Sequence, residues 1–258
     1  MSAKNPIWTR EELILAFNLY LKLPFGKMHK GNEEVKKLSQ ILGRRTPDSV
    51  AMRLTNFAAV DPYHQQRGVR GMDGGRKQVE PIWNEFIHDQ EGLVFESERI
   101  LADYQHQTIE EAYPEIEFDF RDLKGEVRVR AVKTRVNQHV FRQMILKTYT
   151  NRCAVSGIDL TELLVAGHII PWADNEAERL NPENGICLSN LYDRAYEKGL
   201  ICIDTNYKIL ISSRLKQESG KDYYQNFFGR YENQPINIPQ SYRPRREFLE
   251  YRLNRFDL

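Results

Sequence analysis

Hydrophobic positions in the first 80 residues recur with the spacing of α-helices. The pattern predicts a helix that follows Thr9 and ends near Pro24. A second helix is predicted between Asn32 and Gly43, and a third begins at Thr46, with proline in its first turn. The first domain, residues 1–80, is therefore predicted to be helical. Its buried faces are assigned to Ile14, Phe17, Leu21, Val35, Leu38, Ile41, Leu42, Val50, Leu54 and Phe57.

The turn before the third helix and the polar face of that helix are typical of a helix-turn-helix unit, whose second helix can enter a major groove. Arginine bonds guanine edges and asparagine bonds adenine edges, so the residue types suit base contact. A small helical bundle without a nucleic-acid partner would show the same pattern. Side chains expected to be exposed on this unit and to contact DNA are Arg44, Arg45, Ser49, Arg53 and Asn56.

The region between the first domain and the last third of the chain has less decisive patterns. Residues 62–79 combine four glycines with four basic residues, which suits either a mobile loop that closes on phosphates or a plain flexible linker. Residues 80–112 have helical spacing with a surplus of acids outside, and residues 114–120 are expected to be irregular or extended. We assign residues 81–125 to an acidic connector or dimer surface.

Charge is strongly segregated, although the net charge is only +1. Residues 1–79 carry fourteen Lys/Arg against seven Asp/Glu, residues 80–120 carry twelve acids against one arginine, and residues 121–152 carry nine Lys/Arg against two acids. Two basic blocks suit a protein that grips a polyanion at two places, and solvated helix faces are the alternative. In the second block, Arg135 and Arg142 are expected to contact DNA.

From about residue 126 the pattern changes to short strands between helices. A basic amphipathic helix over 138–150 is predicted to lead into a strand at 153–155, which pairs with a strand at 163–166. A bend at Asn184-Gly185 and a helix over 190–198 follow. A hairpin is predicted over 200–211, and a C-terminal helix closes the domain. The fold class is therefore predicted to be α+β, with two strands, a helix and a metal between them in the domain spanning 126–258.

The chemistry-bearing residues of this region are a histidine, an asparagine and two carboxylates. His168 is predicted at a strand end, and an imidazole with a pKa near 6.5 suits a general base. Asp193 and Glu197 are four residues apart, so they share one helix face and can meet one cation. Together with Asn184 they supply the parts of a metal-dependent phosphodiesterase.

Three sequence elements carry a resemblance to a known family: AGHIIPW at 166–172, Asn184-Gly185, and DRAYEKG at 193–199. With the approach from Arg135 to Cys153, the segment over about 134–204 resembles the HNH endonucleases, which have the ββα-metal fold, and the approach resembles that of restriction-type members. The resemblance implies that His168 is the general base, that Asn184 orients the His168 ring and braces its loop, and that Asp193 and Glu197 hold a divalent cation.

The chain departs from the common family pattern at three positions. Glu197 stands where aspartate is usual, Asp193 stands where many relatives have histidine, and Gly167 stands where a metal ligand often precedes the base. A third ligand would then come from Asp174, from the DNA or from water. Oxygen ligands favour Mg²⁺ or Mn²⁺, with Zn²⁺ or Ni²⁺ as alternatives.

These observations predict a divalent-metal-dependent DNA endonuclease, and the resemblance implies a restriction type, including enzymes that act on methylated or hydroxymethylated cytosine. Double-stranded DNA is the expected partner, and cutting of both strands suggests a homodimer. The chain lacks a long apolar stretch and a signal-like N-terminus, so we expect a cytoplasmic protein with no membrane association. The alternatives are a non-catalytic DNA-binding protein with a decayed HNH domain, and a structure-specific or RNA-directed nuclease. The three cysteines are expected to be buried thiols.

Overall fold

The structure is a computed structural model that describes residues 7–23, 25–66, 68, 73–116, 118 and 122–256. It has an α+β fold with two compact units, Met1–Val136 and Asn137–Leu258. Among the described helices, none is both long and apolar enough to cross a bilayer.

The first unit is built from helices. The three predicted in the first domain are confirmed, and each is capped by the expected side chain, Thr9, Asn32 or Thr46. The capping box of the first helix joins Thr9 to Glu12. The helices of this unit are α1 (Arg10–Lys22), α2 (Glu33–Leu42), α3 (Pro47–Ala58), α4 (Pro62–Gln66), α5 (Asp73–Phe86), α6 (Gln90–Tyr104) and α7 (Ile109–Ala112), followed by the start of α8 (Gly125–Thr148).

The helical structure predicted over residues 80–112 is confirmed, whereas residues 62–79 differ from the loop or linker that the sequence suggested. Helices α4 and α5 occupy parts of 62–79, while residues 67 and 69–72 lie outside the described residues, as do parts of 114–120. Helices α5 and α6 share one hydrophobic core with α1–α3, with Trp83 against Phe17 at 5.3 Å between ring centroids. Their apolar faces point inward, so their acids lie outside, where Glu85 accepts a hydrogen bond from Arg10.

The second unit contains two small antiparallel sheets. In the first, β1 (Leu164–His168) pairs with β2 (Gly185–Ser189), and α9 (Asn190–Glu197) packs against both strands. The second sheet is the predicted hairpin, β3 (Ile201–Ile203) with β4 (Ile209–Ile211). Helices α10 (Ser213–Lys216), α11 (Asp222–Phe227) and α12 (Arg246–Phe256) complete the unit, and the last confirms the predicted C-terminal helix.

The predicted pairing of 153–155 with 163–166 is wrong. The partner of β1 is β2, and residues 153–155 instead form a turn in which Ala154 N donates to Cys187 O (2.7 Å). Cys153 Sγ accepts hydrogen bonds from the N–H groups of Ser156 and Ser189 and so holds this turn against β2. The predicted bend at Asn184-Gly185 is also different, because Pro182–Asn184 is a 3₁₀ turn and Gly185 already begins β2.

Candidate active site

His168 lies at the end of β1, where the register places it opposite Gly185. Its ring stacks on Phe141 of α8 with a centroid distance of 4.0 Å, and Trp172 meets its edge at 5.4 Å. A Cβ on Gly185 would lie 2.8 Å from Phe141 Cζ, so the absence of a side chain there allows Phe141 to approach. Strand, helix and loop therefore fix the imidazole between two aromatic rings.

The hydrogen bond of His168 determines which ring nitrogen carries the proton. Nε2 lies 2.9 Å from the carbonyl oxygen of Arg179, and a carbonyl can only accept, so Nε2 carries hydrogen. Burial lowers the pKa of His168; the bond to Arg179 opposes this shift, and the charge of Arg179 adds to it. The ring is therefore neutral near pH 7, with the lone pair on Nδ1, which is the state that a general base requires.

Asn184 braces the loop between β1 and β2 from a buried position, 1% exposed. Its Oδ1 accepts from Ile170 N (2.8 Å), while Nδ2 donates to Ile170 O (3.2 Å) and to Glu178 O (3.0 Å). The bond to Glu178 O holds Glu178 in place, and the carbonyl of the next residue, Arg179, bonds the ring of His168. The amide therefore bonds the loop backbone rather than the imidazole, which corrects the expected contact with the His168 ring.

The two carboxylates occupy α9 as the sequence spacing predicts. Asp193 is partly buried and Glu197 is exposed, where it accepts from Arg194 Nη1 at 2.5 Å. Burial, followed by the charge of Glu197, raises the pKa of Asp193, and Arg252 and Arg194 oppose the shift. A Cβ on Gly167 would lie 2.8 Å from Asp193 Oδ1, so this glycine makes room for the carboxylate beside β1.

A cleft of about 540 Å³ brings His168 and the carboxylates together. His168, Asp193 and Glu197 all line it. Three cations also line it, namely Lys198 at the end of α9 and Arg252 and Arg255 of α12. The cleft can therefore place an anionic substrate against a base and a carboxylate pair. Its other lining residues are Pro171, Trp172, Tyr196 and Phe256.

Residues 153–204, called the HNH segment below, match the HNH endonuclease family. The match covers the turn at Cys153, both strands of the first sheet and α9, and it contains His168, Asn184, Asp193 and Glu197. No curated protein matches the chain. The HNH segment supports nuclease activity on DNA, in a family that generally uses a divalent metal ion.

Asp174 does not form a metal-binding cluster with Asp193 and Glu197. Its Oδ2 accepts from Tyr251 Oη (3.0 Å) and from Arg255 Nη1 of α12. Within the described part of the chain, no cluster of three or more His, Cys, Asp or Glu side chains could hold a metal ion. Asp193 and Glu197 are the two carboxylates that line the cleft.

Arg252 was missed by sequence reasoning because it lies outside the HNH segment. It is 4% exposed, and it donates to Ile169 O (3.0 Å) and Tyr196 O (2.6 Å). It therefore joins the end of the His168 strand to the carboxylate helix. Its position seven residues beyond Arg245 gives no motif, and only the amphipathic pattern of the C-terminal helix could have indicated an inward-facing arginine.

Several arginines that were expected to contact DNA are engaged within the protein. Arg45 is buried and donates to Glu12 through Nε (3.0 Å) and Nη2 (2.7 Å). Arg44 donates to the same carboxylate, although half of its side chain is exposed. Arg142 Nη1 donates to Leu164 O at the start of β1.

The polar face of α3 is also different from the expected one. Arg53 and Asn56 are buried, 9% and 3% exposed, and Arg53 stacks over Trp8 at 4.8 Å. Their predicted exposure is wrong because Trp8, upstream of α1, covers this face, and Asn56 packs against Gly75 of α5. Ser49 is partly buried. Among the remaining residues predicted to contact DNA, only Arg135 of α8 is exposed.

Proposed function

We propose that the protein is a divalent-metal-dependent endonuclease that hydrolyses DNA phosphodiester bonds. One observation carries the proposal: His168, Asp193 and Glu197, from two different elements of the HNH segment, line a single cleft. A neutral imidazole beside two carboxylates suits hydrolysis of an anionic ester.

His168 is assigned the role of general base. Its Nδ1 accepts a proton from a water molecule while the water oxygen attacks phosphorus and the ester oxygen leaves. The bond from Nε2 to Arg179 O holds the ring in the required tautomer, and Asn184 holds the loop that supplies this carbonyl. Asn184 is therefore proposed as a positioning residue.

The carboxylates on α9 fit a hard divalent cation. Asp193 is a partly buried carboxylate whose pKa is raised by burial and by the neighbouring Glu197, and a cation would relieve this repulsion. Magnesium is commonly held by one or two protein carboxylates and keeps several waters, so two ligands suffice. Mg²⁺ or Mn²⁺ is proposed ahead of Zn²⁺ or Ni²⁺. When bound, such a cation would neutralise charge that develops on the phosphoryl and leaving oxygens.

The biological role is proposed to be restriction, including action on cytosine-modified DNA. The support is the resemblance of the approach from Arg135 to Cys153 to restriction-type members, together with a separate helical unit that precedes the HNH segment. A homodimer is proposed because one HNH site is expected to cut one strand.

Plasmid cleavage tests these proposals. Matched plasmids that are unmodified, methylated at cytosine or hydroxymethylated would be incubated with Mg²⁺ or Mn²⁺, with EDTA as one control and His168→Ala as another. We expect metal-dependent cutting that is confined to modified DNA and absent in the variant. Cutting of all plasmids would keep the endonuclease and remove the modification dependence.

Other outcomes favour the alternative functions. Binding of every plasmid without cutting by the wild type would favour a DNA-binding protein with a decayed HNH domain. Preferential cleavage of branched DNA, single-stranded DNA or RNA would favour a structure-specific or RNA-directed nuclease.

A further inference from the structure

Helix α12 forms one wall of the catalytic cleft, although it lies outside the HNH segment. It contributes Arg252, Arg255 and Phe256 to the lining. Gly199, with a φ of +65°, permits its close approach, because a Cβ there would lie 2.3 Å from Phe256 Cδ1. The packing of α12 beside the HNH segment therefore depends on the glycine at position 199.

The two arginines of this wall, Arg252 and Arg255, differ in exposure and in hydrogen-bond partners. Arg252 is buried, and its Nη atoms donate to backbone carbonyls, so its guanidinium is engaged within the protein. The side chain of Arg255 is 46% exposed in the same cleft as His168 and the carboxylates. Arg255 is thus a guanidinium that a substrate entering the cleft can reach.

The partner of Arg255 in this structure is itself an anion, the carboxylate of Asp174. Arg255 Nη1 donates to Asp174 Oδ2, and Tyr251 Oη donates to the same oxygen. An ion pair between partly exposed side chains contributes little to stability, so its exchange for another oxyanion costs little. A phosphodiester offers a guanidinium the same kind of charged oxygen that a carboxylate does.

We propose that Arg255 binds a phosphate of the DNA strand in the cleft and that Asp174 occupies its guanidinium until DNA enters. Lys198, which lines the same cleft, adds a second cation for that phosphate. The inference rests on the proposed nuclease function and deepens it, since it assigns a substrate-binding residue outside the HNH segment. It also gives Asp174 a role other than that of a metal ligand.

Equilibrium binding separates this proposal from catalysis. A fluorescein-labelled DNA duplex would be titrated with the full chain carrying His168→Ala, in Mg²⁺ at several salt concentrations, with anisotropy as the readout. Arg255→Gln in this background is expected to weaken binding about tenfold. It should also reduce the slope of log K against log salt by about 1, because one phosphate contact is lost.

Three further variants sharpen the result. Arg255→Lys keeps the positive charge and is expected to keep most of the salt slope. Arg214→Gln removes an exposed arginine of α10, outside the residues that line the cleft, and is expected to bind like the parent. Asp174→Asn is expected to bind DNA more tightly than the parent, because it releases Arg255.

The proposal is overturned if Arg255→Gln binds DNA with the affinity and salt slope of the parent, or if Asp174→Asn binds no more tightly. If the wild type cleaves DNA while Arg255→Gln still binds like the parent, this inference fails and the proposed nuclease function stands. If the parent binds no DNA, both fail together.

Discussion

The imidazole of His168 is held in a state suited to base catalysis by its surroundings rather than by its sequence neighbours. Phe141 and Trp172 bury the ring, and the Arg179 carbonyl fixes the proton on Nε2. Burial favours the neutral ring, so the base form of His168 persists to a lower pH than that of an exposed histidine.

The pH dependence of cleavage follows from this lowered pKa. The pKa of His168 lies below its ordinary value of 6.5, so kcat/KM is expected to fall only at pH values below 6.5 and to be level through neutral pH. The measurement is the rate of plasmid cleavage against pH at saturating Mg²⁺. An acid limb centred above pH 6.5 would contradict the assignment of His168, and His168→Ala serves as the inactive control.

Asn184 gives a test of the loop that carries this carbonyl. Asn184→Ala would leave the N–H and carbonyl of Ile170 and the carbonyl of Glu178 without their partner, which is expected to destabilise the protein by about 2 kcal/mol or more. Urea unfolding measures this change. The exposed residue Asn206 offers a control, since Asn206→Ala should leave the midpoint unchanged. Equal stability of the two variants would contradict the bracing role.

At the residue scale, the sequence predicts which side chains line the cleft better than it predicts their contacts. The spacing of Asp193 and Glu197 places both carboxylates on one helix face, and both line the cleft. Exposure could not be predicted for Arg53 and Asn56, because Trp8 and α5, which cover them, come from distant parts of the chain. The partners of Arg252 could not be predicted, since they are backbone carbonyls of β1, α9 and the loop after β1, which lie far from it along the chain.

At the scale of elements, Gly185 joins the catalytic sheet to α8. A Cβ there would lie 2.2 Å from Ile145 Cδ1 and 2.8 Å from Phe141 Cζ. Gly185→Ala is expected to destabilise the protein by about 1–3 kcal/mol through overpacking. It should also slow cleavage, because Phe141 would shift under His168.

The comparison for that variant is Gly220→Ala. Its Cβ would meet no atom within 4 Å, and its φ is not in the positive range. Thermal unfolding and plasmid cleavage of both variants would be measured in parallel. If Gly185→Ala matches Gly220→Ala in both assays, the packing of α8 does not constrain the base.

Glu12 joins α1 to the turn between α2 and α3. It is fully buried, and hydrogen bonds from Arg45 and Arg44 lower the pKa of its carboxyl despite the opposing effect of burial. Glu12→Gln would leave the buried charge of Arg45 uncompensated, with an expected loss of about 3–5 kcal/mol. The stabilisation by Glu12 is present above its ordinary pKa of 4.5 and is lost as the pH falls below that value.

Chemical denaturation at neutral and acidic pH measures the Glu12 contribution. Glu33→Gln is the matched control, because Glu33 is 85% exposed and pairs with Lys36 within one helix. It should show no measurable change. A Glu12→Gln variant as stable as the wild type at neutral pH would show that Arg45 does not depend on this carboxylate.

Elements that are specified locally could be predicted, and pairings between distant segments could not. Thr9, Asn32 and Thr46 mark helix starts through hydrogen bonds to residues two or three positions away. The partner of β1 lies 17 or more residues downstream in β2, and a turn at 153–155 looks like a strand when only its apolar residues are considered. That α5 and α6 pack into the core of α1–α3 could not be predicted either, because this packing also joins distant segments and their many acids suggested a connector.

At the scale of the whole molecule, two-strand cleavage is the property that a homodimer would explain. Mixing wild-type protein with an excess of His168→Ala is expected to convert linear products into nicked circles, because mixed dimers would carry one working site. The readout is the ratio of nicked to linear plasmid on a gel. An unchanged ratio, with only the rate reduced, would indicate that one protomer cuts both strands.

All three cysteines of the chain are buried free thiols, as expected, and all belong to the unit Asn137–Leu258. Burial raises the pKa of Cys187 to about 12 and that of Cys202 to about 11, so neither thiol forms a reactive thiolate in the folded protein at neutral pH. Alkylation by iodoacetamide would therefore require this unit to open. The wild-type chain thus carries its own label for local unfolding, and the alkylation rate reports the opening of the catalytic unit while the helical unit stays chemically silent.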